Sequence, residues 1–259
     1  TLEFIGENAF KDCTGLKTVN WNATDCTLEN TVFGGCTGIV EINVNENMTE
    51  IPDYAFGGCT SLPEFTIHGK IERIGSYAFQ GCTSLTQMII PDTVKETGAG
   101  AFQGCTSLES ITLPFIGNKN EVHFGYIFGA AQASNNSRYV PASLKTVTIT
   151  GGTVVGLNAF TGCANIQTID LPETITQISN NAFLGCTSLT AADINGNVTF
   201  IGNNAFQNCV ALTEIVIPDS VQTLGLNAFY GCTSLTSAKI GNGVTPLQNS
   251  HFQLCAKLT

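Results

Sequence analysis

The sequence predicts an α/β repeat fold, a right-handed solenoid with a parallel sheet on one face and short helical or 3-10 turns on the other. Three observations support this prediction. Ten of the 11 cysteines recur every 23 residues, in one run from Cys13 to Cys105 and a second from Cys163 to Cys255. A phenylalanine precedes each of these ten by three residues. Self-similarity at a fixed period of ~20–50 residues is the signature of solenoids, propellers and arrays.

The first half of the repeat predicts a short strand. In the copy at 85–107, Met88 and Ile90 alternate with polar or solvent-facing positions, which is typical of a strand with one buried face. Pro91 ends this strand, because proline has no N–H to donate to a ladder. Val94 then returns an apolar side chain to the interior.

The second half of the repeat predicts the opposite wall. Its Gly-x-x-Ala-Phe pattern, seen at 98–102, is long enough for about one helical or 3-10 turn. The residue before the cysteine is glycine in most repeats, and Asp12 or Asn208 in two others. Because Gly, Asn and Asp tolerate positive φ, we expect a left-handed stop here, with Leu254 as an exception to the pattern.

Each repeat is predicted to be one coil that cannot bury its apolar side chains alone. Stacking the coils at the ~4.8 Å strand spacing gives a parallel sheet and a continuous core with a spine of phenylalanines. One repeat lacks the cysteine, and there we expect Phe128 at the phenylalanine position and Ala131 at the cysteine position. With Phe128 included, 11 of the 16 phenylalanines share one repeat position. We expect residues 1–259 to form a single solenoid of about eleven coils, with an irregular inserted coil at about 114–143. The chain begins and ends within a repeat, so we expect a fragment of a longer protein.

The cysteine spacing argues for reduced, buried thiols. Parallel neighbours hold their Cβ atoms near ~4.8 Å, outside the ~3.5–4.5 Å range of disulfides. Each run of five also leaves one cysteine over. No pair has the C-x₂₋₄-C spacing of a zinc site. Since free cysteine behaves as a small hydrophobe, we expect little labelling of the native protein by thiol reagents.

Composition excludes several classes of function. Ten basic and 20 acidic residues give a net charge of −10, so the chain would repel nucleic-acid phosphates and anionic lipid. No apolar run reaches the ~18–20 residues of a membrane span. His68, His123 and His251 belong to different units, so no Ser-His-Asp or Cys-His arrangement is available. We expect no enzyme, no cofactor and no metal site.

The exposed strand positions form the first candidate surface. They are rich in threonine and acidic residues, and a solenoid commonly binds its partner through such a surface. The candidate partner-binding residues here are Glu41, Glu64, Gln87, Asp170, Asp193 and Glu214. Adjacent coils are expected to place Glu41 next to Glu64 and Asp170 next to Asp193. Other interpretations of these carboxylate pairs remain open: they could bind Ca²⁺, they could act as acid and base, or they could simply be solvated.

The inserted coil is the second candidate surface. Its candidate residues, His123, Tyr126, Arg138 and Tyr139, are of the aromatic and arginine types that binding hot spots favour. The alternative is that the segment only fills out a widened coil. Because the repeat does not need this loop, removing residues 134–138 is expected to leave the fold intact.

The unit resembles the BspA-like leucine-rich repeats of bacterial surface proteins. The match is carried by A-F-Q-G-C-T-S-L at 78–85, followed by Ile90-Pro91, and it covers essentially the whole chain. The resemblance implies a leucine-rich-repeat fold without catalytic residues, in a secreted or cell-surface protein that takes part in adhesion.

The resulting hypothesis is a module that recognises a host or cell-surface macromolecule, most simply a protein. One alternative is a passive spacer domain of a surface protein. Another is a glycan-binding module, although the only tryptophan, Trp21, stands at a core-facing strand position.

Overall fold

The computed structural model describes residues 3–21, 27–117, 123–244, 247 and 250–259. These residues form a stack of coils whose paired strands are all parallel, and the predicted leucine-rich-repeat solenoid is thereby confirmed. No helix among the described residues is long and apolar enough to cross a membrane.

The longer strands lie along one face, which we call the front row. Partners are one repeat apart, as where Thr18 pairs with Glu41 and Gln87 pairs with Ser110. The front-row strands are β2 (Thr18–Asn20), β4 (Glu41–Asn43), β7 (Gln87–Ile89), β9 (Ser110–Leu113), β10 (Thr146–Ile149), β12 (Thr168–Asp170), β15 (Glu214–Ile217) and β17 (Ser237–Ile240). They form three sheets with the strand orders β2-β4, β7-β9-β10-β12 and β15-β17.

A second row of two-residue strands, the side row, was not anticipated from the sequence. The first residue of several of these strands faces solvent, as Glu50 and Glu96 do, and the second packs into the core, as Ile51 and Ile74 do. The side-row strands are β1 (Phe4–Ile5), β3 (Thr27–Leu28), β5 (Glu50–Ile51), β6 (Arg73–Ile74), β8 (Glu96–Thr97), β11 (Val154–Val155), β13 (Gln177–Ile178), β14 (Phe200–Ile201) and β16 (Thr223–Leu224).

The side row explains the glycine that follows the repeat's isoleucine. A Cβ atom on Gly75 would stand 2.5 Å from the backbone nitrogen of Asp53 in the preceding coil, and one on Gly98 would stand 2.3 Å from that of Ser76. The coils approach too closely at these two positions for a Cβ atom, so glycine is needed there, whereas other coils accommodate Glu29, Pro52 or Ser179 at the equivalent position.

The opposite side, which we call the turn wall, consists of 3-10-type turns, and backbone hydrogen bonds join the turns of neighbouring coils. The Gln80 N–H donates within its own coil to the Tyr77 carbonyl at 3.0 Å, whereas the Phe79 N–H donates to Ala101 of the next coil at 2.8 Å. The expected left-handed stop before the cysteine is present, and Leu254 adopts it as well with φ of 62°. A second left-handed residue stands four positions earlier in most turns, for example Asn8, with φ of 60°.

A ladder of phenylalanine rings runs through the core. Neighbouring rings stack at centroid distances from 4.9 to 5.8 Å, from Phe10 to Phe102 and again from Phe160 to Phe252. Between these two runs the register of the ladder shifts: the Phe102 N–H donates to Ile127 at 2.9 Å, so Phe128 keeps its predicted place toward the preceding coil but not toward the next. Phe124 contacts Phe160 at 5.0 Å instead, and Phe128 packs edge-on against Phe124.

The inserted coil is the part of the described chain that contains helices. Ser110 of β9 pairs with Thr146 of β10, so this coil is 36 residues long. Its wall is built from 3-10 helices at Phe124–Phe128 and Ala133–Asn135, followed by α1 (Asn136–Tyr139).

Two residues of the inserted coil depart from the sequence-based register. Ala131 is exposed and does not take the place of a core cysteine, because the chain detours outward into the second 3-10 helix at this point. Ser137 takes the place of the repeat's glycine instead, and it lies 3.6 Å from the Cβ position of Gly162.

The front row is interrupted in two coils, at 64–66 and 191–193. At the first break Pro63 has no N–H to donate to the preceding coil, although its carbonyl still accepts from Thr86 at 3.2 Å. At the second break Ala192 stands where Ile169 and Ile215 fill the core in the neighbouring coils, and a small cavity opens beneath it. Both breaks follow from departures from the repeat's own sequence.

Candidate binding surface

The structure places the six candidate residues of the strands on one surface. Glu41, Gln87, Asp170 and Glu214 lie in front-row strands, and Glu64 and Asp193 lie in the two interrupted coils; all six are exposed. The side chains between them, such as Ile42 and Met88, are buried. The front row therefore presents a long, shallow surface whose outward side chains take no part in packing the core.

Short polar ladders cross the front row between coils. The Asn43 amide donates to Asn20 Oδ1 at 2.9 Å and to Glu41 Oε1 at 3.1 Å. At the centre, the Thr148 hydroxyl donates to Asp170 Oδ2 at 3.2 Å. These contacts hold the Glu41 and Asp170 side chains in defined orientations on the surface.

The proposed carboxylate pairs are not held together by strand pairing. Glu64 and Asp193 lie outside strands, so no ladder sets either one against Glu41 or Asp170. Within the described ranges, no group of three or more His, Cys, Asp and Glu side chains gathers as a metal site would require. The front row is an open sheet surface rather than a cleft.

The four candidates of the inserted coil lie on the turn wall, and one of them was wrongly predicted to be accessible. His123 is only 5% exposed and meets Tyr126 edge-on at 6.2 Å. Its imidazole is covered because residue 123 leads directly into the buried 3-10 helix at Phe124–Phe128. Arg138 is exposed and lies 5.8 Å from the ring centre of the half-buried Tyr139.

Asn136 was missed by the sequence analysis, and it ties the inserted coil to its neighbour. It is fully buried; its Oδ1 accepts from the Gly125 N–H at 3.1 Å, and its Nδ2 donates to the Ala159 carbonyl at 3.4 Å. Removing residues 134–138 would take this partner from the Gly125 N–H, although the Ala159 carbonyl would still accept from the Phe124 N–H at 2.8 Å. These contacts argue against the expectation that the loop can be removed without cost, and we now expect the deletion to destabilise the inserted coil. Lys119, in the shorter part of the insertion, lies outside the described residues.

A cluster of ion pairs occupies the side row of the N-terminal half. Arg73 contacts Glu50 and also Asp53, the latter at 2.8 Å, while Lys95 contacts Glu72 at 2.7 Å. Asp53 also accepts from the Ser76 N–H at 2.8 Å. These pairs link neighbouring coils through partly exposed side chains.

The repeat family can be identified from a comparison with family models. A model described as "BspA type Leucine rich repeat region (6 copies)" matches residues 3–124 and 134–259. The chain belongs to the BspA-type leucine-rich-repeat family. The gap at 125–133 falls inside the inserted coil, as expected if this segment departs from the repeat.

The chain is also similar to solved structures of other leucine-rich proteins. A leucine-rich cell surface protein from Faecalibacterium prausnitzii is 27% identical over 99% of this chain and 75% of its own, with a TM-score of 0.45. The leucine-rich-repeat protein of T. pallidum is 25% identical over 72% of this chain and 71% of its own, with a TM-score of 0.44. A TLR13–ssRNA13 complex aligns at a TM-score of 0.51 but 14% identity, over 92% of this chain and 34% of its own, which shows the fold alone. A search of curated proteins found no match.

Proposed function

We propose that this BspA-type chain is a recognition module of a cell-surface or secreted protein, and that its front row binds a macromolecular partner, most simply a protein. The observation that carries the proposal is the exposure of Glu41, Glu64, Gln87, Asp170, Asp193 and Glu214 along one surface. Their side chains are not needed for the core. Membership of the BspA-type family supports the proposal, as does the name of the Faecalibacterium prausnitzii neighbour, a cell surface protein.

The charge of the front row favours a partner with a basic patch. The chain carries a net charge of −10, and five of the six proposed contacts are acidic. Such charges mainly steer encounter and set its salt dependence. We infer binding rather than catalysis, because an open sheet surface does not exclude water from a substrate as a cleft does.

The test is a binding screen of the purified chain against matrix and cell-surface proteins, repeated with a variant neutralised on the front row. The proposal expects a partner whose association slows when the front-row carboxylates become amides. A passive spacer would bind none of the proteins screened, and that result would overturn the proposal.

A further inference from the structure

Two tyrosines on the turn wall occupy a backbone conformation that suits neither of them. Tyr54 and Tyr77 have φ of 56° and 57°, at the left-handed position that Asn181 and Asn204 fill in other coils. A bulky residue with positive φ is a genuine outlier, which persists only where the surrounding structure over-determines it, as the stacked turns do here. The repeat thus sets the conformation of this position but does not explain why tyrosine occupies it in two neighbouring coils.

The two rings form an ordered, partly exposed pair. They stack with centroids 4.9 Å apart and planes 18° from parallel, and Tyr54 is 40% exposed. In the next coil the equivalent residue is Gly100, and a Cβ there would stand 2.5 Å from Tyr77 Cε1. The absence of a side chain at Gly100 gives the Tyr77 ring room to lie in this position.

Three further residues stand three positions along the same turns, namely Gly57, Gln80 and Gln103, and both glutamines are half-buried. Gln103 Oε1 stands 3.3 Å from the Cβ position of Gly100, next to the Tyr77 ring.

Gly57 is not required by the fold. It does not have positive φ, and an added Cβ would meet nothing closer than the Tyr54 carbonyl oxygen at 3.5 Å, an ordinary contact. The same position carries Lys11, Leu184 or Tyr230 in other coils. Glycine occupies this position in two neighbouring coils, at Gly34 and Gly57, and at Gly57 it leaves the space beside Tyr54 open.

We propose that Tyr54, Tyr77, Gln80 and Gln103 form a binding site for a neutral oligosaccharide. A pyranose ring has a face of C–H groups that can lie on an exposed aromatic face, and hydroxyls at its rim that pair with amides and phenols. A few polar groups converging beside aromatic side chains are what small-ligand sites require. The net charge of −10 disfavours an acidic glycan.

The geometry favours a sugar over a proline-rich peptide. Peptides of that kind dock into grooves lined by aromatic side chains. Here the two rings are in stacking contact at 4.9 Å, so no groove exists between them into which a proline could fit. One outer ring face with a rim of amides matches a single sugar unit.

The experiment is calorimetric titration of the full chain with cellopentaose, maltopentaose and mannopentaose. A pentagalacturonate and a proline-rich decapeptide serve as the acidic and peptide comparisons. Tyr54→Asn and Tyr77→Asn are the test variants, because asparagine already occupies this position in other coils, as at Asn181 with φ of 57°. Tyr230→Gln is the matched control; it removes a half-buried tyrosine elsewhere on the turn wall and installs the residue found at position 80.

We expect at least one of the three neutral sugars to bind, with affinity at least ten times weaker in each test variant and unchanged in the control. The melting temperature of the test variants should stay the same or rise. The proposal is overturned if none of the three sugars binds, if binding survives both asparagine substitutions, or if the acidic sugar or the peptide binds more tightly. Because the site lies on the turn wall, neutralising the front row should not alter sugar binding, so this site and the front row can fail separately.

Discussion

The thiol of Cys82 donates a hydrogen bond to the carbonyl oxygen of Phe56, at 3.3 Å, from one coil to the coil before it. The same bond joins Cys186 to Phe160 and Cys232 to Phe206, both at 3.2 Å. The repeated cysteine is therefore more than a small hydrophobe, because its S–H gives the buried carbonyl of the previous coil a donor. Burial also raises the pKa of these thiols, which keeps them protonated and in place as donors.

Thiol labelling should separate one cysteine from the buried ladder. Cys13 lies in the first coil and is exposed, contrary to the expectation that the whole ladder is buried, whereas nine others, from Cys36 to Cys255, are buried. We expect iodoacetamide to modify Cys13 promptly in native buffer and the nine buried thiols only after denaturation. Peptide mapping by mass spectrometry is the measurement; rapid native labelling of several of the nine would contradict the ladder. Cys26 lies outside the described residues.

Alkaline pH should destabilise the protein through these thiols. Burial raises the pKa of Cys105 and of Cys186 from 9.0 to about 12. Between these values the folded chain retains protons that the unfolded chain releases, so the free energy of unfolding falls as pH rises from about 9 to about 12, by roughly 1.4 kcal/mol per pH unit for each such thiol.

A double variant isolates this effect from other groups that titrate at high pH. Cys105→Ala with Cys186→Ala should make the slope shallower by about 2.7 kcal/mol per pH unit, since two thiols are removed. Denaturant titrations at several pH values between 8 and 11 measure it. An unchanged slope would mean that the folded thiols ionise as easily as the unfolded ones.

The phenylalanine ladder should be most sensitive where a ring is stacked on both sides. Phe79 is fully buried, 5.6 Å from both Phe56 and Phe102, whereas Phe10 is 40% exposed. Phe79→Ala should cost ~3–5 kcal/mol of unfolding free energy, because it opens a cavity that neighbouring coils cannot fill. Phe10→Ala should cost much less. Thermal and denaturant unfolding of the two variants make the comparison, and equal losses would rule out the stacking model.

The fold could be predicted because the same pattern of buried, exposed and left-handed positions recurs in most repeats. The buried middle residue of each front-row strand and the left-handed residue before the cysteine were both visible in the sequence, and both are present at Ile42 and Gly58. The second left-handed residue was not predicted, because the position carries asparagine in several coils but Thr31, Tyr54 and Tyr77 in others, and these residue types do not indicate positive φ. Tertiary stacking imposes this conformation on residues that would not adopt it alone.

The candidate surfaces were less predictable, because exposure depends on how the irregular coil packs. Alternation in a strand separates outward from inward residues, so Glu41 and Glu214 were placed correctly on the front row. Periodicity offers no such guide for the inserted coil, where His123 is buried and Asn136 forms the contacts that hold the segment in place. The recurrence of asparagine at the second left-handed position was the one signal that could have singled out Tyr54 and Tyr77.

Thr97 offers a stabilising substitution in the side row. It is fully buried where Ile51 and Ile74 occupy the equivalent positions, and its hydroxyl has no hydrogen-bond partner among the described residues. Thr97→Val keeps the shape and removes the unsatisfied oxygen, so we expect a gain of about 1 kcal/mol in unfolding free energy. Thr97→Ala is the control, since it also removes the hydroxyl but leaves a void and should not stabilise. Denaturant unfolding checks both; a loss of stability in the valine variant would mean that the hydroxyl is satisfied.

Binding by the front row should depend on its charges in a way that a spacer's surface would not. Glu41→Gln, Glu64→Gln and Glu214→Gln together remove three exposed carboxylates without disturbing the core. For a partner with a basic patch, association should slow and its dependence on ionic strength should flatten, while dissociation changes less, because rim charges act mainly on encounter. Surface plasmon resonance at several salt concentrations measures both rates.

The matched control for this prediction changes net charge by the same amount elsewhere. Glu29→Gln, Glu96→Gln and Glu173→Gln also remove three exposed carboxylates, none of them in a front-row strand. If association depends on the local field of the front row, this variant should retain most of the wild-type rate, because charges more than about 10 Å away are largely screened at physiological salt. Equal slowing of association by the two triple variants would instead show that the effect depends on the net charge of −10. A partner whose association rate is unchanged by both variants would bind at another surface of the solenoid.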